Sequence, residues 1–275
     1  MGDNRKNIKK GFVRLLWTAV VVIVFAKIVL NDSLTVREYS VESEYVEGTH
    51  RYVVLTDLHS TLYGDGQEKL LREIDRYSPE AVFLVGDIGD NRREFDGTAS
   101  LLEGLTEYDM YYVTGNHERW VDYADDIKRL FEKYGVIVLD GGKSVYLGDG
   151  IYLFGIDDPL FYENSEEYLA DIRAACTSDE SFDILLSHRP EFAREYSDSG
   201  FDLILSGHTH GGQVRIPFLL NGLYAPNQGW FPEYAGGIYD VEDNKIIVSR
   251  GLMINEYPRI FNRPEIVIVD IVGKK

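Results

Sequence analysis

Apolar runs of five or six residues alternate with segments of helical spacing along most of this chain. The short runs are typical of buried strands and span 52–56, 81–85, 109–114, 182–187 and 201–205. Strands that alternate with helices in this way predict sheets that are covered by helices. Near the end, the runs 238–241, 245–248 and 266–269 predict further strands joined by tight turns.

Helices are predicted where apolar residues recur at intervals of three and four. Leu70, Leu71, Ile74 and Tyr77 mark the first such face. The same spacing predicts helices around 101–105, 127–134 and 168–176, and the last of these would begin with Ser165 as its cap. A possible first strand precedes all of them at 34–41, and His50, which follows it without a motif, is expected at the surface.

The N-terminal segment is basic and then strongly apolar. Phe12 to Leu30 is 19 residues, or about 28 Å as a helix, which is close to the roughly 30 Å hydrocarbon core of a bilayer. A buried helix and a cleaved signal peptide are the alternatives, but no Ala-x-Ala-like cleavage site follows the apolar run. We therefore expect a basic N-terminus and single transmembrane signal anchor over 1–30, a connector over 31–50 and a catalytic domain over 51–275. The basic flank should stay cytoplasmic, so the domain should lie on the extracytoplasmic side of the cell membrane.

Charge argues against nucleic acid as a partner. The chain has a formal net charge of −18, and residues 1–30 contribute six Lys or Arg and one acidic residue, so the remainder carries −23. Such a domain would repel polyanions, whose binding depends on Lys and Arg. Cys176 is the single cysteine, which excludes an intramolecular disulfide and a thiolate metal cluster.

Metal-binding residue types follow five of the predicted strands. The motifs are Asp57-Leu58-His59, Gly86-Asp87-Ile88-Gly89-Asp90, Gly115-Asn116-His117-Glu118, His188-Arg189-Pro190 and Ser206-Gly207-His208-Thr209-His210. In open α/β sheets, ligands bind beyond the carboxyl ends of the strands, so these side chains should meet at one rim. Nitrogen and oxygen donors without sulfur suit Mn, Fe or Zn.

The order of these motifs resembles that of the calcineurin-like metallophosphoesterase superfamily, from about Tyr52 to His210. The resemblance implies an α/β fold in which two mixed β-sheets flanked by helices form a four-layer αββα sandwich, here preceded by the transmembrane helix. Gly211-Gly212-Gln213 and Val248-Ser249-Arg250-Gly251-Leu252 also resemble the membrane-associated phosphodiesterase branch of that superfamily.

Seven candidate ligands are too many for one ion, and two ions require that one ligand be shared. The resemblance implies that Asp57, His59, Asp87 and His210 hold one divalent ion and that Asp87, Asn116, His188 and His208 hold the other. Asp87 would bridge the two ions and offset their mutual repulsion. A water bound to such ions titrates near pH ~7 instead of ~15.7, which yields a hydroxide nucleophile.

Three residues next to the predicted metal ligands are expected to assist the hydrolysis. His117 directly follows a predicted ligand, so its side chain should face the leaving oxygen and act as general acid. Asp90 or Glu118 could orient imidazoles by hydrogen bonding. A turn or capping role is the alternative for Asp90.

These features predict a membrane-anchored, binuclear-metal hydrolase that acts on a phosphodiester, such as a lipid-linked or cell-envelope substrate. A phosphomonoesterase of the same fold and a metal-binding scaffold without turnover are the alternatives. Arg119, Arg189 and Arg250 are possible phosphate contacts that the sequence leaves unassigned. The apolar segment 216–232 either contacts a bilayer or acyl chains, or packs onto its own sheet.

Overall fold

The computed structural model describes residues 2–90, 94–120, 126–174, 180–254 and 258–274. Seven α-helices lie within them: α1 (Gly2–Val29), α2 (Glu68–Asp75), α3 (Asp96–Gly104), α4 (Asn116–Trp120), α5 (Ile127–Glu132), α6 (Ser165–Ala174) and α7 (Ala193–Asp198). Cys176, at the end of the helix predicted around 168–176, falls outside the described residues.

Fourteen strands lie within the same residues. The first seven are β1 (Thr35–Ser43), β2 (Thr49–Leu55), β3 (Ala81–Val85), β4 (Asp109–Val113), β5 (Ile137–Val138), β6 (Ser144–Gly148) and β7 (Ile151–Gly155). The others are β8 (Phe182–Leu186), β9 (Leu203–Ser206), β10 (Tyr224–Ala225), β11 (Gly229–Trp230), β12 (Gly237–Val241), β13 (Asn244–Val248) and β14 (Glu265–Gly273).

Two mixed six-stranded sheets contain all of these strands except the β10–β11 hairpin. The first sheet has the order β1-β14-β2-β3-β4-β5, in which β14 and β2 are antiparallel and the other neighbours parallel. The second has the order β12-β13-β9-β8-β7-β6, with parallel pairing from β13 to β7 and an antiparallel hairpin at each edge. The predicted α/β fold with mixed sheets is therefore confirmed.

The sheets pack face to face and helices cover their outer faces. Val54, Phe83 and Val113 of the first sheet share a buried core with Leu186 and Leu205 of the second. Helices α2, α3 and α5 bury their apolar stripes on the outer face of the first sheet, and α6 and α7 do so on the second. This arrangement is the four-layer αββα sandwich, and the central strands β3 and β9 are buried along their whole length because both of their faces are covered.

The last strand differs from the sequence-based expectation. A tight turn does join β12 to β13, but β14 does not follow β13 in a hairpin. Instead the chain crosses to the first sheet, where β14 pairs with β1 and β2. Because β1 belongs to this sheet, part of the predicted connector 31–50 is also part of the folded domain.

Two local predictions were wrong. Asn164, rather than Ser165, caps α6, because its side-chain oxygen accepts hydrogen bonds from the backbone N–H groups of Glu166 and Glu167, both at 3.0 Å. His50, which carries no motif and looks like a surface residue in the sequence, is buried. It bonds the Glu80 carboxylate at 2.9 Å and the Glu47 carbonyl at 2.8 Å.

The N-terminal segment forms α1, as its apolar pattern predicts. Large side chains in its described part are exposed, including Leu15 (67%), Trp17 (67%) and Phe25 (61%). Within the part of the chain that the structure describes, no helix has the combined length and apolarity needed to cross a membrane, so the predicted transmembrane span is not confirmed.

Candidate metal centre

The seven predicted metal ligands meet at one end of the sandwich, at or just beyond the carboxyl ends of five strands. Ligand atoms of Asp57, His59 and His210 lie within 4.8 Å of one another, and those of Asp87, His188 and His208 form a second such group. The two groups touch, because His59 Nε2 lies 3.7 Å from Asp87 Oδ2 and His188 Nε2 lies 3.8 Å from Asp57 Oδ1. Asn116 lines the same cavity as Asp87. Each group contains three of the four residues that the sequence analysis assigns to one ion, and a third such group consists of His59, Asp90 and His117.

The backbone is strained where these side chains leave their strands. Five of the seven predicted ligands have positive φ angles between 47° and 70°, namely Asp57, His59, Asp87, His208 and His210. Non-glycine residues seldom adopt this left-handed conformation, and such residues concentrate at functional sites. The left-handed backbone turns polar side chains that are close in sequence, such as those of His208 and His210, toward a common centre.

Two glycines allow the carboxylates to approach the neighbouring turns. A Cβ atom on Gly207 would lie 2.5 Å from Asp57 Oδ2, and one on Gly115 would lie 2.3 Å from Asp87 Oδ1. Because these contacts are shorter than any Cβ can tolerate, both positions require glycine.

The electrostatics of the centre favour a bound cation. Asp57 and Asp87 are buried, and burial together with the negative charge of Asp87 raises the pKa of Asp57. Burial disfavours the protonated form of His188, yet the Asp87 carboxylate at 3.1 Å raises the pKa of His188 to about 10. Carboxylates that hold a proton on a buried imidazole so strongly would also hold a metal cation.

Neutral imidazoles complete the donor set. Burial lowers the pKa of His210 well below its usual value, and the neighbouring His59 lowers it further. Burial and the Arg189 guanidinium have the same effect on the pKa of His208. Both rings are therefore uncharged at neutral pH and keep a lone pair for a metal.

Among the described residues, two buried polar atoms of the centre, Asn116 Oδ1 and His210 Nδ1, have no hydrogen-bond partner. Buried polar atoms are rarely left unpaired in native proteins, so this concentration calls for a ligand. The nitrogen and oxygen donors of the site suit divalent cations.

Asp90 contacts two imidazoles, as predicted, and is not merely a turn residue. Its Oδ2 lies 3.1 Å from His59 Nδ1 and its Oδ1 lies 3.4 Å from His117 Nδ1. A proton on Nδ1 of His59, held by this carboxylate, leaves the Nε2 lone pair for a metal.

Glu118 does not have the predicted role. Its carboxylate accepts hydrogen bonds from the backbone N–H groups of Asp87 (2.9 Å), Gly89 (3.0 Å) and Gly115 (2.8 Å) rather than from an imidazole. The side chain thus ties together the loops after β3 and β4. Burial and the charge of Asp87 raise the pKa of Glu118 to about 7.

His208 has partners that the sequence motifs do not reveal. Its Nε2 lies 3.0 Å from Asn227 Oδ1 and 2.9 Å from Arg189 Nη1, and Arg189 Nη1 donates to Asn227 Oδ1 at 2.7 Å. An unprotonated Nε2 accepts from Arg189 Nη1, whereas a protonated Nε2 donates to the Asn227 oxygen. Only the second tautomer leaves a lone pair on Nδ1 for a metal.

Arg189 and Asn227 were not assigned from the sequence. Asp158 holds the Arg189 side chain through Nε and Nη2, and the arginine is buried. The position of Arg189 directly after His188 was a signal that could have indicated a role in the site. Asn227 comes from a turn between β10 and β11 that has no recognisable motif.

A cavity of about 300 Å³ opens onto the centre. Polar residues form one part of its lining, and Trp120, Leu160 and Pro226 form an apolar part. His117 also lines this cavity, and its ring centroid lies 4.7 Å from that of Trp120. Of the other unassigned arginines, Arg119 lies over the Phe161 ring, and Arg250 lines a different cavity.

The apolar segment 216–232 does not pack its largest side chains onto the sheet. Phe218, Leu219, Trp230 and Phe231 have exposed fractions of 107%, 85%, 67% and 68%. The packing alternative is wrong for these four side chains.

Comparisons with a family model and with known proteins indicate the same family for this chain. A family model described as calcineurin-like phosphoesterase matches residues 50–212, which include the seven predicted metal ligands and Asp90, His117 and Glu118. An uncharacterized metallophosphoesterase of Campylobacter jejuni is 33% identical over 93% of this chain and 68% of its own length. One of Aquifex aeolicus is 31% identical over 88% of this chain and 93% of its own. The crystal structure of a Thermus thermophilus protein shares the fold alone, with a TM-score of 0.52 and 12% identity over 76% of this chain and 92% of that one.

Replacing Asn227 with leucine should weaken metal binding at the His208 group. The leucine keeps the side-chain volume but removes the oxygen that fixes the tautomer of His208, and such supporting contacts typically contribute about 10–100-fold to metal affinity. Calorimetric titration with Mn²⁺ measures this change. Asn227→Asp retains an acceptor oxygen and is the matched control. Equal Mn²⁺ affinity in Asn227→Leu and the wild type would contradict the assignment.

Proposed function

The chain belongs to the calcineurin-like phosphoesterase family, and we propose that it hydrolyses a phosphodiester with the help of two divalent cations. The observation that supports turnover, rather than metal binding alone, is the position of His117. This imidazole lines the cavity, belongs to neither predicted ligand set and is held by Asp90. A metal-binding scaffold has no need of such a proton donor.

In this proposal Asp57, His59, Asp87 and His210 hold one cation, and Asp87, Asn116, His188 and His208 hold the other. When bound, the cations supply an activated water and stabilise negative charge on the phosphoryl oxygens. The donor set suits manganese, iron or zinc.

His117 donates a proton to the leaving oxygen. The Asp90 carboxylate near its Nδ1 orients the ring so that Nε2 is available for the transfer. The backbone N–H of His117 donates to Asp87 Oδ1 at 2.8 Å, which fixes the acid relative to the proposed bridging ligand. General acid catalysis of this kind typically contributes about 10²–10⁴-fold.

The cavity lining favours a diester over a monoester. Trp120, Leu160 and Pro226 provide an apolar surface near His117 that suits the organic group beyond a leaving oxygen. Arg189 is the one Lys or Arg among the described residues of the lining, and Asp158 and Asn227 already engage its guanidinium. A monoester dianion therefore gains no free arginine at this surface.

We also propose that the domain is held at a membrane through α1, as in the membrane-associated phosphodiesterase branch. The exposed apolar side chains along α1 support this position, because large exposed apolar surfaces in proteins mark contact sites. The Lys and Arg residues that precede the apolar run favour an extracytoplasmic catalytic domain. A lipid-linked or cell-envelope phosphodiester would be accessible from this position.

Replacing His117 with alanine should lower kcat while metal content stays at the wild-type value. The loss should be about 10²–10⁴-fold for an alkyl phosphodiester and much smaller for a p-nitrophenyl ester, whose leaving group needs little protonation. Steady-state kinetics on both esters, with metal analysis, provide the measurement. His50→Gln changes a histidine outside the cavity and is the control. An equal loss on the two esters would rule out the acid role.

A purified, metal-reconstituted protein should hydrolyse bis-p-nitrophenyl phosphate faster than p-nitrophenyl phosphate. The apolar surface beside His117 accommodates the second aryl group, whereas the monoester dianion finds no free arginine. Release of p-nitrophenol from each ester, after loading with Mn²⁺, Zn²⁺ or Fe²⁺, measures the preference. Faster monoester cleavage would favour a phosphomonoesterase, and no turnover of either ester would favour a scaffold.

A further inference from the structure

A second cavity, of about 180 Å³, is lined by four arginines and lies apart from the metal centre. Its lining consists of Arg37, Arg215, Pro217, Arg250, Phe261 and Arg263. None of these residues lines the cavity above the metal centre. Four guanidinium groups around one small cavity are unusual in a chain with a net charge of −18.

The positive charge of this arginine cavity is only partly balanced. Glu265 is buried, and its Oε2 lies 3.3 Å from Arg250 Nη1 and 3.9 Å from Arg37 Nε. One carboxylate thus faces two arginines. Burial and the charge of Arg250 lower the pKa of Arg215 to about 10. The cavity therefore favours an anion.

The other two arginines bind neutral oxygens. Arg215 donates to the carbonyl and side-chain oxygens of Asn221 at 2.9 and 2.6 Å. Arg263 donates to the carbonyls of Ser33 and Leu34 at 2.9 and 2.8 Å. In addition, the buried Nε of Arg250, whose side chain is only 9% exposed, has no hydrogen-bond partner among the described residues. These contacts fix the guanidinium groups without neutralising them.

An apolar hairpin extends from the edge of the arginine cavity. Two backbone hydrogen bonds join Ile216 and Leu220, at 2.9 and 2.8 Å, and Arg215 braces the base of the turn through Asn221. At the tip, Phe218 and Leu219 are almost entirely exposed. An ordered turn that presents two large apolar side chains to solvent is suited to insertion into a lipid surface.

The end of α1 lies on another edge of the same cavity. The backbone N–H of Phe261 donates to the Val29 carbonyl at 2.8 Å, and the Phe261 ring contacts Phe25 at a centroid distance of 6.4 Å. Phe261 itself lines the cavity. The arginines therefore lie between two exposed apolar elements, α1 and the 216–220 hairpin.

We propose that the arginine cavity binds the phosphate of an anionic phospholipid headgroup while Phe218 and Leu219 enter the adjoining acyl region. Arginine forks match phosphate oxygens in geometry and charge. The inference rests on the proposed membrane position of the chain, but it requires neither the metal centre nor turnover. It assigns a lipid-binding role to a surface that is distinct from the catalytic cavity.

Partitioning of the full-length protein into lipid vesicles tests this site. Vesicles of phosphatidylcholine alone are compared with vesicles that also contain phosphatidylglycerol, by sedimentation at constant salt. Each arginine near an anionic surface contributes about a fivefold change in partitioning, so Arg215→Gln/Arg263→Gln should lower partitioning into the anionic vesicles about 30-fold. Its partitioning into phosphatidylcholine vesicles should match that of the wild type.

The control removes the same charge elsewhere. Arg76→Gln/Arg194→Gln changes two arginines whose side chains are 68% and 75% exposed, and it should partition like the wild type. If the first double variant fails to fold, Arg37→Gln tests the same site, because its half-exposed side chain pairs with Glu265 at the long distance of 3.9 Å. That variant should show about a fivefold loss on anionic vesicles.

Three outcomes would overturn the proposal. The first is an anionic preference that the cavity variants leave unchanged or that the control variant loses equally. In the second, inorganic phosphate stabilises the protein against heat and this stabilisation requires Arg215 and Arg263, but vesicle partitioning does not require them. That result would indicate that the cavity binds a soluble anion rather than a lipid headgroup. In the third, the wild-type protein binds neither kind of vesicle, which would also contradict the proposed anchor. Hydrolysis of p-nitrophenyl esters should be unaffected in every variant.

Discussion

The structure depends on two carboxylates, Asp57 and Asp87, that lie buried at the ends of adjacent strands. Burying charged carboxylates close together is costly unless a cation compensates them. In this protein imidazoles surround them, and His188 is within 3.8 Å of both. Left-handed backbone at five predicted ligands and two glycines without room for a Cβ hold the cluster in this arrangement. Such strain is retained where the site, rather than the fold alone, requires it.

The residues around this centre have separable tasks. Glu118 binds three backbone N–H groups and fixes the loops that present Asp87 and Asn116. Asp90 joins a proposed metal ligand, His59, to the proposed acid, His117. Asn227 reaches His208 from the β10–β11 hairpin, whose neighbouring residues Trp230 and Phe231 are exposed. Asn227, which contacts the metal centre, and the exposed residues Trp230 and Phe231 thus belong to one continuous segment.

The sequence predicted the α/β architecture and the position of the candidate site residues at one rim, because both follow from local patterns. Apolar runs identify the strands, and polar motifs directly after them identify residues at one rim. Contacts between distant segments could not be predicted in the same way. The crossing of β14 into the first sheet, the burial of His50 and the contact of Asn227 with His208 depend on tertiary packing. The sequence left open whether Asp90 or Glu118 orients the imidazoles, because spacing places both carboxylates nearby but does not show that three backbone N–H groups bind Glu118.

Metal stoichiometry tests the central claim most directly. The claim is that Asp87 is shared by two divalent cations in one buried centre. Equilibrium titration of the purified protein with Mn²⁺, followed by metal analysis, should give two ions per wild-type chain and a marked loss of both affinity and content in Asp87→Asn. A wild-type chain that binds fewer than two ions, or an Asp87→Asn variant that still binds two with wild-type affinity, would contradict the account.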